Sequence, residues 1–417
     1  MSAVPVLAEV QSRVADRLRE CGALAVLLVD LQPLGRIERR FGTPIHRAAR
    51  EQVEPVLAEL QKLVREGDVM AWDDRASDRL FLFLVGRRDD DARWTIDVIR
   101  QLADRVEAFL APRLGRIAHT YLRERPGIET GYGFVLWNPL ESEERQLWRL
   151  TEDALATAEL RRAVRERSER ERLLEVIHAA DVWTVFQPIV EIETGEALGH
   201  EALSRGPRGT DLQSPGPLFA LAARHGLVED LERACRRVAF RDWELFGGTT
   251  RLFLNTVPGT IRDASFLGRG LLGYLGPTLA PRMVTLEITE REIIENLHLY
   301  REAMHAFLEL GFSFAIDDVG AGHSGLETVA TLQAAFLKID MSLVRDIHEK
   351  RVNQQVVKAI LEMGQGMGAT VIAEGIQTVE EKQALQDLGM RYGQGYLWGQ
   401  PKDPRAAAAP RVVVAKG

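Results

Sequence analysis

The chain has 417 residues, and its 61 acidic side chains outnumber its 53 basic ones, so that its formal net charge is −8. At roughly 100–200 residues per domain this length predicts two to three domains, and 46% hydrophobic with 27% charged residues is typical of a folded soluble protein. The acidic balance argues against a dedicated nucleic-acid binder, which needs a positive surface. An anionic small molecule stays open as a substrate, because one metal ion or a few arginines reverse the field locally.

The cysteine content and the apolar runs indicate the compartment. Cys21 and Cys235 form neither a CxxC pair nor a disulfide framework, which fits a reducing cytosol. The first residues lack the charged and apolar regions of a signal peptide. The longest apolar run, at 23–29, is far shorter than the roughly 18–20 residues of a membrane-spanning helix. We therefore expect a cytoplasmic protein without a membrane partner.

The first part of the chain alternates between strand and helix patterns. Short runs rich in leucine and β-branched residues predict buried strands, and longer segments with apolar residues at helical spacing predict helices between them. The pattern indicates an α/β domain over residues 1–158. The predicted strands are 23–30, 80–85 and 131–137, and the predicted helices are 47–64 and 94–110.

A highly charged segment at 159–175, ELRRAVRERSERERLLE, marks a boundary. Its charges of opposite sign recur at i,i+3 and i,i+4 spacing, as on a solvated helix. We interpret residues 159–178 as a helix that links two domains. A two-stranded signalling helix is the alternative, although its apolar seam is thin.

The remainder of the chain, residues 179–408, repeats strand-like runs with helical stretches between most of them. Eight such runs are typical of a (β/α)8 barrel of the TIM type. Only the turn residues Glu193, Thr194 and Gly195 separate the first two runs, too few for a crossover helix, so one strand is expected to be antiparallel. The eight runs are 184–190, 197–204, 251–256, 283–289, 313–317, 336–340, 370–373 and 395–398.

Polar and charged side chains stand where these apolar runs stop. In a barrel, the carboxyl ends of the strands converge on one mouth, where active sites are built. Many carboxylates in one cavity repel one another unless cations compensate them, and all-oxygen ligands suit Mg²⁺ or Mn²⁺. The side chains concerned are Glu201, Arg205, Asn255, Glu287, Glu290, Asp317, Asp318, Lys338, Asp340, Glu374 and Gln394.

Two of these residues need a separate interpretation. A single acidic residue at a strand end is more often a helix N-cap or a solvated loop residue, and Asp340, just before Met341 and Ser342, is a good N-cap candidate. Lys338 is harder to explain locally, because a lysine that points into a barrel needs a carboxylate partner or a reactive role. Every predicted strand after the first carries such a polar group, which favours the joint functional interpretation.

The segment EALSR at 201–205 resembles the signature of the EAL-domain cyclic di-GMP phosphodiesterases. The resemblance runs from about residue 185 to residue 401, and its blocks follow in the family's order and spacing. It implies hydrolysis of cyclic di-GMP to linear pGpG and a homodimer, which is usual in that family. The other blocks are FQPI at 186–189, LN at 254–255, LEITE at 286–290, DD at 317–318, LKID at 337–340, AEG at 373–375 and QGY at 394–396.

The resemblance also implies a two-metal centre. Two divalent cations, Mg²⁺ or Mn²⁺, about 3.5–4 Å apart would activate a water and stabilise an in-line displacement at the phosphodiester. One cation would have three carboxylates and an amide as ligands, and the second would share a bridging carboxylate with it. The implied ligands of the first are Glu201, Asn255, Glu287 and Asp317, and those of the second are Asp317, Asp318 and Glu374, with Asp340 in support.

Other residues are implied to act on the water or on the substrate. Lys338 would position or deprotonate the attacking water, and with Glu201 and Glu374 it completes the implied catalytic set. Arg205 resembles a substrate contact whose forked guanidinium suits a phosphate. The remaining implied residues are the substrate contacts Gln187 and Gln394 and the anchor of the loop after the fifth strand, Glu290.

The loop at 317–326, DDVGAGHSGL, departs from the family's usual DDFGTGYSSL. A non-catalytic receptor for cyclic di-GMP, or a protein-interaction scaffold, therefore stays open as an alternative function. A third hypothesis is an unrelated barrel hydrolase that acts on another phosphodiester. The replaced positions are Val319, Ala321, His323 and Gly325, together with Gln377, whose amide stands where the family usually has a charged glutamate.

Residues 20–158 resemble a GGDEF-type diguanylate cyclase domain in the order of their elements, mainly at 27–42, 68–84 and 131–137. The family's Gly-Gly-Asp-Glu-Phe is ASDRL at 76–80 here, which lacks the glycines that let the backbone approach GTP. Gln32 stands where a second metal-binding aspartate is expected, so that Asp30 is alone. We therefore expect a degenerate, regulatory domain without cyclase activity. A GTP sensor, a dimerisation module and a partner-docking surface all stay open.

Overall fold

The computed structural model describes residues 4–63, 67–73, 78–84, 96–122, 127–256, 269–277, 279–289, 304–320 and 334–405. The chain divides into two compact units, 1–169 and 170–417. Each unit has its own sheet and its own apolar core. Within the described ranges, no helix combines the length and the apolar character needed to cross a membrane.

The first unit contains a four-stranded sheet with helices on both faces. Its elements are α1 (Leu7–Cys21), β1 (Ala23–Asp30), α2 (Gln32–Phe41), α3 (Thr43–Leu63), β2 (Val69–Trp72), β3 (Arg79–Leu84), α4 (Ile96–Leu122), β4 (Glu129–Leu136) and α5 (Glu143–Ala179). The strands pair antiparallel in the order β2-β3-β1-β4. Side chains alternate between the faces, so that Leu27 packs in the core under α2, α3 and α4, and Leu28 in the core under α1 and α5.

The three strands predicted for this unit are present, and the structure adds a fourth, β2. Because β2 has only four residues, no periodic pattern marks it in the sequence. The helix α4 continues through Pro112 to Leu122, beyond its predicted end. The helix predicted at 159–178 is the second half of the longer α5.

Two glycines let α5 pack closely on β4. A Cβ atom at Gly131 would lie 2.0 Å from the carbonyl oxygen of Ala154, and one at Gly133 would lie 2.3 Å from that of Leu150. No side chain fits such gaps, so the strand brings its bare backbone against the helix.

Further along the same face, a buried charge cluster joins α5 to the sheet. Asp30 and Glu129 are buried and lie directly opposite each other on β1 and β4. Arg162 Nη2 lies 2.8 Å from Asp30 Oδ2, and Arg165 forms an ion pair with Glu129. Two buried carboxylates side by side are costly, and these two arginines compensate their charge.

The second unit is a closed eight-stranded barrel. Its elements are β5 (Trp183–Glu191), β6 (Ala197–Arg205), α6 (Pro215–His225), α7 (Val228–Phe246), β7 (Arg251–Asn255), α8 (Arg269–Leu272), a 3₁₀ helix (Pro281–Met283), β8 (Val284–Thr289), β9 (Ser313–Val319), β10 (Phe336–Ile339), α9 (Met341–Val344), α10 (Arg351–Met367), β11 (Thr370–Ala373), α11 (Val379–Asp387) and β12 (Tyr392–Gln394). Each strand pairs with the next, and β12 pairs with β5 to close the barrel. The strand β5 is antiparallel to both neighbours, and the other pairs are parallel. The expected (β/α)8 barrel with one antiparallel strand is thereby confirmed.

The eighth predicted strand, at 395–398, is wrong. The strand that closes the barrel is β12, immediately before this segment, and 395–398 form turns instead. A Cβ atom at Gly395 would lie 1.9 Å from the carbonyl oxygen of Ile376, so the chain passes tightly over its neighbour here. Leu397 and Trp398 still pack against the core, so their apolar character reflects packing and not a strand.

The barrel interior changes from apolar to polar along the strands. One cluster of apolar side chains, including Ile189 on β5 and Phe253 on β7, fills part of the interior. Gln187 lies two residues before Ile189 and on the same face of β5. A larger apolar core packs between the barrel and its helices. The apolar filling thus gives way to a polar layer toward the carboxyl ends of the parallel strands.

Candidate active site

Lys338 lies in this polar layer and contacts carboxylates from four other strands or strand ends. Its side chain is fully buried on β10. Its Nζ lies 2.6 Å from Glu374 Oε1 and 2.8 Å from Glu287 Oε1. Asp317 Oδ1 lies 3.3 Å from the same atom, and Glu201 Oε2 lies 3.6 Å from it. The ammonium group therefore occupies the centre of the predicted acidic set.

Amide side chains fix the carboxylate of Glu201. Gln394 Nε2 donates to Glu201 Oε2 at 2.7 Å and to Gln187 Oε1 at 3.1 Å. Asn255 Nδ2 donates to Glu201 Oε1 at 3.0 Å. The two predicted substrate contacts Gln187 and Gln394 thus lie together beside a predicted metal ligand, at the seam where β5 meets β6 and β12.

Asp317, Asp318 and Glu374 form a second acidic group. One carboxylate oxygen from each lies within 4.8 Å of the others, close enough to share a cation. Asp318 has a positive φ of 57°, an uncommon conformation for a non-glycine residue. Its backbone N–H donates to Asp317 Oδ1 at 3.0 Å, which ties the two consecutive aspartates together.

Burial and mutual repulsion shift the proton affinities of this cluster. Burial, with Asp317 and Glu201 nearby, raises the pKa of Glu374 to about 8, although Lys338 opposes the shift. Burial and Asp317 raise the pKa of Asp318 to about 6. These carboxyl groups therefore hold protons more tightly than exposed ones, because too few positive charges face them.

The pKa values of Glu287 and Lys338 each respond to the charge of the other group. Burial raises the pKa of Glu287 well above its ordinary value, although Lys338 opposes the shift. Burial of Lys338 disfavours its charge, but the surrounding carboxylates outweigh that effect and raise its pKa well above the ordinary value. The lysine is therefore a cation at physiological pH, whereas burial of Glu287 favours the protonated form of that carboxyl group.

The donor set fits divalent cations. The residues offer carboxylate and amide oxygens only, which are the ligands preferred by Mg²⁺ and Mn²⁺. One ammonium group faces four carboxylates, so negative charge remains to be compensated. The three oxygens of Asp317, Asp318 and Glu374 would hold one cation. Asn255 uses its amide nitrogen toward Glu201, so its amide oxygen is available as a ligand.

Other predicted site residues have different surroundings. Asp340 Oδ1 accepts the N–H of Ser342 at 3.0 Å and caps α9, as its local sequence predicts. Arg205, at the end of β6, donates to its neighbour's carbonyl and lies within electrostatic range of Glu201. Val319 is fully buried. Glu290, Ala321, His323 and Gly325 lie outside the described residues.

Glu381 supports the segment that follows Glu374, and the sequence analysis did not single it out. Its carboxylate accepts the backbone N–H groups of Gln377 at 2.7 Å, of Asp346 at 3.0 Å and of Thr378 at 3.1 Å. Burial disfavours its charge, yet these three hydrogen bonds lower its pKa below the ordinary value. The Thr-x-x-Glu spacing of a capping box at 378–381 is the signal that could have found it.

Comparison with known proteins identifies the second unit. A profile of the EAL domain matches residues 170–401. The "Probable cyclic di-GMP phosphodiesterase PdeB" of Escherichia coli is 31% identical over 254 residues, which cover 57% of this chain and 46% of that protein. The cyclic di-GMP phosphodiesterase NbdA of Pseudomonas aeruginosa is 29% identical over 247 residues, 58% of this chain and 31% of that protein.

A solved structure has the same fold. The FimX EAL domain of Xanthomonas citri, crystallised in complex with c-diGMP, aligns with a TM-score of 0.51 and 21% identity over 56% of this chain and 93% of its own. This chain spans less than half the length of the two curated relatives. The family profile, however, covers more than half of this chain. The chain therefore belongs to the EAL domain family.

Proposed function

We propose that this chain hydrolyses cyclic di-GMP to linear pGpG at the mouth of its barrel. The observation that carries the proposal is the contact of one buried lysine, Lys338, with four carboxylates on or next to the strands of the barrel. Two relatives with about 30% identity are named cyclic di-GMP phosphodiesterases, which supports the same substrate. An acidic cluster of this kind suits a reaction that cleaves a phosphodiester with the help of divalent cations.

We further propose that two cations, Mg²⁺ or Mn²⁺, bind here. Once bound, they would lower the pKa of a coordinated water and stabilise the charge that develops on the phosphate. The donor atoms described above support this assignment. The first set of ligands is Glu201, Asn255, Glu287 and Asp317, and the second is Asp317, Asp318 and Glu374, with Asp340 in support.

The chain's own residues would orient the reactants. Lys338 forms ion pairs with Glu374 and Glu287 from a buried ammonium group, so it would position the attacking water. Glu374, in contact with Lys338, would accept the proton that the water loses. The water oxygen bonds to phosphorus, the bond from phosphorus to the 3′ oxygen breaks, and that oxygen takes up a proton. One water is consumed and the ring opens to pGpG.

The proposed substrate contacts lie on the β5, β6 and β12 side of the barrel. Gln187 and Gln394 are linked by a hydrogen bond of 3.1 Å, so they would act as one polar surface. Arg205 presents a forked guanidinium at the end of β6, suited to a phosphate oxygen pair. These groups would hold the dinucleotide while the acidic cluster acts on one phosphate.

We also propose that the first unit is a degenerate GGDEF-like domain that regulates the barrel. Asp30 is held by Arg162 Nη2 at 2.8 Å, which supports the absence of cyclase chemistry, because an arginine already compensates its charge. A GTP molecule, a second copy of the chain or a protein partner would then provide the input.

The test is turnover of cyclic di-GMP by the full chain in Mg²⁺ and in Mn²⁺, with products resolved by chromatography. We expect pGpG from the wild-type protein and none from Glu201→Ala. Calorimetric titration with cyclic di-GMP in EDTA and in Mn²⁺ accompanies the assay. Binding without product, from protein with bound metal, would reject hydrolysis and favour the receptor function.

A further inference from the structure

Trp183 begins β5 and Arg205 ends β6, so both residues lie at the mouth of the barrel. They lie directly opposite each other on β5 and β6. Gln187 and Glu201 form another opposite pair, four residues deeper on the same two strands. Since side chains alternate along a strand, Trp183 and Arg205 share the inward face with Gln187 and Glu201, about 13 Å nearer the mouth. A molecule that extends from the acidic cluster along these strands toward the mouth would reach Trp183.

The guanidinium group of Arg208 lies over the ring of Trp183. Its guanidinium carbon is 3.8 Å from the centroid of the indole. The indole is itself fixed, because Trp183 Nε1 donates to the carbonyl oxygen of Gly206 at 2.9 Å. Arg208 Nη2 donates to Asp403 Oδ2 and pairs with it electrostatically. Contacts with Trp183 and Asp403 thus hold a flexible side chain in place.

Arg208 remains accessible to solvent despite these contacts. The side chain of Arg208 is 52% exposed, whereas that of its partner Asp403 is 17% exposed. A planar cation that is held over an indole and is still half exposed offers a stacking surface to a nucleobase. From the mouth inward, the barrel carries Arg208, then the proposed phosphate contact Arg205, and then the acidic cluster. This order matches a ligand whose bases project from a ring of sugars and phosphates.

We propose that Arg208, held on Trp183 and by Asp403, stacks on one guanine of the dinucleotide and sets the affinity for it. This inference rests on the proposed function of the barrel. It makes Arg208 a substrate-binding residue and makes Trp183 and Asp403 positioning residues. Lysine at position 208 would keep the charge but lose the flat face, so Arg208→Lys isolates stacking from electrostatics.

The test compares KM and kcat of the full chain for cyclic di-GMP in Mn²⁺. Stacking of one base contributes about 1–3 kcal/mol, which corresponds to roughly a 5- to 150-fold change in affinity. We expect Arg208→Lys and Trp183→Leu each to raise KM within this range and to leave kcat within about twofold. Tryptophan quenching by the substrate in Ca²⁺, which suits oxygen sites, provides an independent measure of affinity.

A matched control comes from the opposite end of the barrel. Arg391 also lies over an aromatic ring, that of Tyr392 at 5.1 Å, and pairs with Glu191 at 2.9 Å. Since Arg391 precedes β12, it lies away from the mouth. We expect Arg391→Lys to leave KM unchanged, which separates base stacking from a general loss of an arginine–aromatic contact.

A phosphodiester substrate that has no nucleobase distinguishes a failure of the stacking proposal from a failure of the proposed function. We expect the turnover of methyl 4-nitrophenyl phosphate to be equal in wild-type and Arg208→Lys proteins. The stacking role would be overturned if Arg208→Lys lost turnover equally on both substrates. It would also be overturned if Arg208→Lys and Trp183→Leu both left the KM for cyclic di-GMP unchanged. Wild-type protein that cleaves the simple diester but neither binds nor cleaves cyclic di-GMP would overturn the proposed substrate and, with it, this inference.

Discussion

Lys338 Nζ and Glu374 Oε1 lie 2.6 Å apart across the neighbouring strands β10 and β11. The same ammonium group reaches Glu287 at 2.8 Å, so one positive charge links carboxylates on opposite sides of it. Without this lysine, the acidic side chains would face one another in a buried space. Lys338 therefore compensates the mutual repulsion of these carboxylates.

Replacing Lys338 by methionine tests that relationship. Removal of one partner from a buried ion pair costs about 3–5 kcal/mol, so we expect Lys338→Met to unfold at a lower temperature in EDTA. Turnover of cyclic di-GMP should fall by at least about 100-fold, since a misplacement of a reactant by about 1 Å costs that much. Lys350→Met, at an exposed lysine paired with Asp346, is the control. Variant turnover close to that of the wild type would contradict the proposed role.

Metal binding should be visible as a gain in stability. A ligand at about 100 times its Kd stabilises the folded state by about 2.7 kcal/mol, so Mn²⁺ added after EDTA treatment should raise the unfolding temperature. Asp318→Asn removes one of three clustered carboxylates and should reduce this rise. Asp387→Asn, at an exposed position on α11, should retain it. Equal Mn²⁺ shifts in the Asp318→Asn and wild-type proteins would contradict the assignment of this ligand.

The buried carboxylate of Glu381 predicts a pH-dependent contribution to folding. Its folded pKa lies below the ordinary value of 4.5 because three backbone N–H groups bind the charged form. The stabilisation is thus complete above pH 4.5 and is lost as pH falls through the folded pKa. Loss of such a bonded acceptor costs about 1–3 kcal/mol. We expect Glu381→Gln to lower the free energy of unfolding at pH 7 by that amount.

Urea unfolding at pH 7, 5 and 4 measures this effect. The difference between wild-type and Glu381→Gln proteins should shrink at the lowest pH, because the carboxyl group of the unfolded chain takes up a proton before the native one does. Glu380→Gln, its exposed neighbour on α11, should behave as wild type at every pH. A constant difference between Glu381→Gln and wild type at all three pH values would indicate that the charge of Glu381 is not what stabilises the fold.

Close packing of α5 on β4 makes Gly131 intolerant of any side chain. The added methyl group of Gly131→Ala would lie 2.0 Å from the Ala154 carbonyl oxygen. We expect a loss of about 1–3 kcal/mol, as for other overpacked sites, measured by calorimetric unfolding. Gly115→Ala in α4 is the matched control, because its Cβ meets nothing within 4 Å. That substitution should be neutral or stabilising by about 0.5–1 kcal/mol; equal losses would refute the packing argument.

The two cysteines should differ in reactivity. Cys21 is exposed, whereas Cys235 is buried, and burial raises the pKa of its thiol to about 11. Only about one part in a thousand of such a thiol is thiolate at pH 8. We expect a thiol reagent such as DTNB to label one cysteine in the native protein and two in urea. A Cys21→Ser protein should show no rapid native labelling, and rapid labelling of it would contradict the burial of Cys235.

Strand ends were the most informative feature of the sequence. Glu201, Glu287 and Asp317 follow apolar runs, and the barrel brings them to one lysine as the pattern predicts. Strands are recognisable because their apolar runs are local. The strand β12 was misplaced because three residues carry too little pattern, and because Leu397 and Trp398 are apolar for packing in a turn.

The sequence by itself determined the barrel, the presence of one antiparallel strand and the set of polar side chains near its mouth, because periodicity and turn length are local properties of the chain. Only the tertiary structure decided which residues contact one another. It showed that Glu381 binds the backbone N–H of Asp346, that Gln394 donates to Glu201, and that Arg208 lies over Trp183. Contacts of this kind join residues far apart in the chain, and their distances depend on how whole elements pack.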